Sequence, residues 1–146
     1  MNERFLFRGR RYDNGEWITG WITSQFKKFT EGKVLTYIKS NVFGGGEHLV
    51  NTKTVGQCTG LKDKNGKLIF EGDIVESRAS ENKEDWKRWV VTFSDGSFCF
   101  EREIPRKRKY KYEQNLLGID NIELYGLTVI GNVYDNLELL QRSDEE

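Results

Sequence analysis

Long apolar runs are missing from this 146-residue sequence, and so is net charge, because 23 basic residues face 23 acidic ones. No stretch approaches the ~18 consecutive apolar residues that cross a bilayer as a helix, so no membrane contact is expected. The opening MNERFLFRGRR is charged and has no apolar segment, so no secretory leader is expected either. Net neutrality argues against wholesale polyanion binding. Cysteine is scarce: Cys58 and Cys99 make no metal-type pair. A disulfide between them is geometrically open, but nothing in the sequence supports it, and reduced thiols in a cytosol are the plain expectation. Histidine occurs once, at His48, with no serine or cysteine motif beside it for nucleophilic catalysis and no designated carboxylate partners for a metal. The run Gly44-Gly45-Gly46 is expected to be a flexible loop, and it lacks the Gly-Lys-Ser/Thr ending of a phosphate cradle. Neither a cofactor nor a metal is expected.

Apolar residues make up only 36% of the chain, but aromatics reach 13%. Large rings bury about 150–250 Å² each, and disordered chains are poor in them, so the chain reads as globular. Its length suits one domain spanning residues 1–146, with sub-lobes 1–57 and 58–140 and an acidic tail at 141–146. Charge is uneven along it. Residues 1–60 carry nine basic and five acidic groups, whereas 101–146 carry seven and ten.

Proline appears once, at Pro105, while glycine appears fifteen times. Three turn signals separate β-rich runs: Asp13-Asn14-Gly15, Lys64-Asn65-Gly66 and Ser94-Asp95-Gly96-Ser97. Alternation agrees. Trp89, Val91 and Phe93 share one strand face that Phe98 and Phe100 continue, and Phe5 and Phe7 alternate with Arg4, Leu6 and Arg8. The run Leu127–Tyr134 is apolar on both faces, which predicts a central strand, with Gly131 marking a bulge. Helix is confined to short turns near Glu81–Lys87 and Asp135–Leu140. The fold expected is mainly β: small, barrel-like or strongly bent antiparallel sheets built from hairpins, with one or two short helical turns.

The stretch Gly60–Val75, GLKDKNGKLIFEGDIV, carries two turns. Asn65 and Gly66 form the tip of the first, and Gly72 and Asp73 form the second, where Asp73 is expected to bond its own turn amides. Together with Val129–Asn136 and the following Glu138-Leu139-Leu140, this pattern resembles the YopX family of phage and prophage proteins. The resemblance runs from Phe5-Leu6-Phe7-Arg8 to about Leu140. One position departs: Leu137 stands where family members usually have proline. The resemblance implies a mainly-β fold and a mobile-element origin, and with the cytosol expected above the host cytoplasm is the expected location. It implies no reaction, so no catalytic residue is transferred.

Three readings of function follow. The leading one is a non-catalytic binding or regulatory module that works through protein contacts, with a host or phage protein or with further copies of itself as a homo-oligomer. The second is a nucleic-acid binder using Arg106, Lys107, Arg108, Lys109, Tyr110, Lys111 and Tyr112, since lysines neutralise phosphates while tyrosine and arginine planes stack on bases. Its bland counterpart is a lysine-protected edge strand. The third is a small enzyme using the carboxylates Glu71 and Asp73, against the simpler view that Asp73 serves its turn and Glu71 is solvated. Arg8 and Arg10 share a strand face, as do Trp17 and Trp21, and both sets are expected first to be solvated or packed.

Overall fold

The computed structural model describes residues 3–28, 32–78, 80–94, 96–104, 109–115 and 126–140, of which 102–104 and 109–115 are described by backbone alone. Pro105–Arg108 and the acidic tail lie outside the described residues. The chain divides into two compact units, Met1–Cys58 and Thr59–Glu146.

Unit 1 is built from β1 (Phe7–Arg11), β2 (Trp17–Lys28), β3 (Lys33–Ser40) and most of β4 (Glu47–Lys62). Each pairs antiparallel with the next, and β1 also pairs with β4, so the four strands close into a ring. The Asn14-Gly15 turn joins β1 to β2, with Arg11 N donating to Glu16 O at 2.9 Å. Ile18, Ile38 and Val50 fill the ring, with Phe7, Ile22 and Val55 packed against them; each such side chain contributes about 1.5–3 kcal/mol by leaving water. Gly20 is required by close approach, because a Cβ there would lie 1.7 Å from Lys39 O on the neighbouring strand.

One expectation fails at the amino terminus. Glu3–Phe5 is a 3-10 turn, not the start of a strand, and Leu6 is buried while Phe5 is 64% exposed. The turn breaks the two-residue period that would have aligned Phe5 with Phe7.

Unit 2 holds the end of β4, its hairpin partner β5 (Leu68–Phe70), and a second antiparallel sheet. That sheet contains β6 (Asp73–Ser77), β7 (Arg88–Ser94), β8 (Ser97–Ile104), β9 (Lys109–Asn115) and β10 (Leu127–Asn132), in the order β10-β6-β7-β8-β9. Both remaining turn signals join adjacent strands, and Ser94 faces Ser97 across the third. Ile69, Val75, Trp89, Val91, Phe100 and Leu127 form the core. Phe93 and Phe98 continue that row as an edge-to-face pair 5.0 Å apart. Cys58 and Cys99 are buried thiols.

The expectation of a central strand at Leu127–Tyr134 is overturned: β10 is an edge strand, paired only with β6 among the described strands. Leu127 lies in the core and Val129 packs against it, while the other backbone edge is bonded by a turn. The turn after β4 covers its outer side, with Lys64 N donating to Leu127 O at 2.9 Å and Asp63 Oδ2 accepting from Val129 N at 2.9 Å. The register does shift between Val129 and Gly131, a bulge at the glycine. Lys83–Asp85 and Leu137–Leu140 are 3-10 turns, within the segments where the sequence placed helix.

Candidate binding surfaces

The turn at Lys64-Asn65-Gly66 is organised by Asp63. Its Oδ1 accepts from the amides of Asn65 at 2.8 Å and Lys67 at 2.9 Å, and Gly66 N donates to Asp63 O at 3.0 Å. At the next turn Asp73 is 1% exposed and its Oδ2 accepts from Phe70 N at 2.7 Å, while Gly72 N donates to Val91 O at 2.7 Å. Glu71 is half-buried two residues away. A carboxylate turned into its own chain in this way is not presented to a substrate. Among the described residues no three metal-ligating side chains converge.

Glu76, to which the sequence reading gave no role of its own, is buried with both oxygens engaged. Oε1 meets Arg78 Nε at 2.7 Å and Oε2 meets Arg88 Nε at 2.6 Å. Burial alone would push this carboxyl up, but the hydrogen bonds from Arg88 and Arg78 outweigh it and hold it below the ordinary carboxylate range. Arg88 also donates from Nη1 to Leu139 O at 2.7 Å, which ties the last 3-10 turn to β7. Arg78 lies 5.1 Å from the Trp86 ring centre, Lys83 lies 5.8 Å from it, and Trp86 Nε1 donates to Ser80 O at 2.8 Å. Trp86 is therefore a half-buried member of a charged network. Three elements are fastened here, which is a structural use of the charges.

On unit 1 the structure brings together two sets that the sequence left apart. Arg8 and Arg10 on β1 both lie over Trp17 on β2, 5.0 and 5.2 Å from its ring centre. Trp17, Thr19 and Trp21 point outward, because Ile18 and Gly20 between them are buried. Trp21 faces Lys39 across the β2–β3 ladder, and Phe26 stacks on Tyr37 with ring centres 6.3 Å apart.

The β3–β4 connection, expected from its glycines to be a flexible loop, is instead held by its own hydrogen bonds. It carries Val42, 67% exposed, and Phe43, fully exposed. The loop is closely bonded. Ser40 N donates to Gly46 O at 2.8 Å, Asn41 N to Thr19 O at 3.0 Å, and Gly45 N to Val42 O at 2.9 Å. Ser40 Oγ accepts from Val42 N at 3.0 Å, and His48 Nε2 donates to Gly45 O at 2.7 Å. Positive φ at Gly44 and Gly46, +79° and +75°, lets the chain reverse so tightly. The sequence signal was an aromatic directly before a glycine triplet.

Of the predicted basic stretch, Arg106, Lys107 and Arg108 lie outside the described residues. Lys109–Tyr112 form the start of β9, where Tyr112 pairs with Glu101, Lys111 with Arg102, Tyr110 with Glu103 and Lys109 with Ile104.

The YopX protein family model matches residues 6–141. The chain belongs to the YopX family. No curated protein matches it. A crystal structure of protein EF1440 from Enterococcus faecalis is similar to this YopX chain with a TM-score of 0.51 and 23% identity, covering 92% of this chain and 96% of that one. That likeness shows the YopX fold in a second protein and nothing of its activity. Among the described residues no helix is long and apolar enough to cross a membrane.

Proposed function

We propose that this YopX-family chain is a non-catalytic binding module, encoded by a phage or prophage, that acts in the host cytoplasm by contact with another protein. The observation that carries the reading is Phe43, fully exposed at the tip of a loop fixed by its own hydrogen bonds. Moving an exposed phenylalanine ring from water into an apolar pocket is favourable. Holding it rigidly removes the ordering cost that a mobile loop would pay on binding. Rigid aromatic anchors with surrounding small residues are how hot spots enter a partner's apolar pocket. Val42 extends the same tip.

The test is affinity capture from host cells with wild type and Phe43→Ser in parallel, followed by titration of the recovered protein in purified form. A partner held by wild type and by Phe43→Leu, but weakened at least tenfold by Phe43→Ser, supports the reading. Equal binding of all three forms overturns it.

A further inference from the structure

A bulge on β2 determines which side chains look outward from unit 1. Before it, Ile22 faces Ile38; after it, Ser24 faces Tyr37, so two residues of β2 advance against one of β3. Even-numbered residues of β2 point into the ring up to Ile22, as buried Ile18 and Gly20 show. Beyond the bulge the sense reverses, and Gln25 faces fully buried Thr36. Phe26 and Tyr37 therefore share the outer face with Trp17 and Trp21. Three separate aromatic positions result, at Trp17, at Trp21 and at the stacked Phe26–Tyr37 pair. Trp21 faces Lys39 and Phe26 faces Leu35, four residues apart on β3, so they lie about 13 Å apart along the strand. Phe26 is 50% exposed, and Trp21 and Tyr37 are half-buried, as expected for rings lying on a sheet surface.

The charge on this face has one prevailing sign. Arg8 and Arg10 flank Trp17, and exposed Lys39 lies opposite Trp21. Glu47 is the acid opposite Lys39, and it accepts a hydrogen bond from Thr23. Unit 1 as a whole carries nine basic and five acidic residues. Aromatic steps along a sheet with cations beside them are what an unpaired oligonucleotide requires: its bases stack on rings and its phosphates meet cations. A duplex offers its phosphates but keeps its base faces covered. An acidic peptide would use the cations and leave the row of rings unexplained.

We propose that the outer face of β1–β3, with Trp21, Phe26 and Tyr37 as stacking positions and Arg8, Arg10 and Lys39 as phosphate contacts, binds single-stranded nucleic acid. This goes beyond the Phe43 contact and stands without it, and it is a different surface from Arg106–Tyr112.

The experiment is fluorescence anisotropy of labelled 12-nucleotide single strands and the matching duplex with the full chain at 50 mM salt. Single strands are expected to bind at least tenfold more tightly than duplex. Trp21→Ala and Phe26→Ser are each expected to weaken binding about tenfold, and Trp21→Phe, which keeps a stacking face, to restore most of it. Lys39→Ala is expected to lower the slope of log K against log salt by about 0.7. Circular dichroism melting confirms that each variant is folded; Phe26→Ser, at a half-exposed site, keeps the test valid if Trp21→Ala does not fold. No single-strand binding, equal affinity for duplex, or binding undiminished by Phe26→Ser overturns the proposal. So does binding lost on replacing Arg106, Lys107, Arg108 and Lys109 by Ala but unchanged by the variants of unit 1.

Discussion

Single side chains in this protein do different jobs from those their chemistry first suggests. Glu71 and Asp73 looked like a pair for acid–base work, yet the strongly placed carboxylates are Asp63 and Glu76. Asp63 accepts from three backbone amides, those of Asn65, Lys67 and Val129. Asp63→Ala leaves all three without their acceptor and is expected to cost about 3 kcal/mol, read from the urea midpoint. Asp63→Asn is nearly isosteric, but it sets an amide donor against a backbone donor on one side, so it is expected to cost at least about 1 kcal/mol. Glu76 couples stability to acidity. Its folded pKa is depressed, so its stabilising contribution is complete above the unfolded carboxyl value and is lost as pH falls through the folded value. Wild type should therefore lose stability on acidification below about pH 4, whereas Glu76→Gln should lack that part of the profile. At pH 7 the same substitution removes the charge partner of two arginines and is expected to cost about 3 kcal/mol. Neither role was legible beforehand. A buried carboxylate is identified by what surrounds it, and the amide of Val129 lies 66 residues from Asp63.

Elements were easier to read than their neighbours in space. The three glycine turns, the alternation through Trp89, Val91 and Phe100, and the bulge at Gly131 follow from local rules of backbone geometry and burial. The rank of β10 did not, because its outer edge is bonded by a turn instead of a strand. The side-chain pattern cannot distinguish the two, since either satisfies the same backbone groups. Ring closure was likewise suggested only in outline; the β1–β4 pairing joins residues about forty to fifty positions apart. The close approach at Gly20 makes closure testable. Gly20→Ala places a methyl group against a backbone carbonyl that cannot move without opening the β2–β3 ladder. The expected result is loss of the cooperative thermal transition of unit 1, checked by amide exchange of β1–β3, while amides of β6 and β7 keep their protection.

At the scale of the molecule, family membership and the mainly-β architecture were legible because the motifs at Gly60–Val75 and Val129–Asn136 are turn-and-strand signatures. Candidate surfaces were less so. The sequence emphasised density of charge at Arg106–Tyr112, whereas the described surface stands out for its exposed aromatics. Exposure is a property of the folded chain, and Phe43 looks like any core phenylalanine until the loop is drawn around it. Because its ring touches little of its own protein, Phe43→Ser should change the melting midpoint by no more than the equivalent of about 0.5 kcal/mol. It should also raise the concentration at which the protein begins to associate, measured by light scattering.

The bulge between Ile22 and Ser24 has a consequence for how this strand can change over time. It works as a reading-frame shift in the side-chain pattern: everything distal to it is written in the opposite sense. Loss of Thr23 alone would remove the extra residue and leave Ser24 against Tyr37, Gln25 against Thr36 and Phe26 against Leu35, so both faces of the arm would keep their side chains. The bulge therefore absorbs a one-residue deletion at its own position, while an insertion or deletion within Ser24–Lys28 exchanges the faces of everything beyond it.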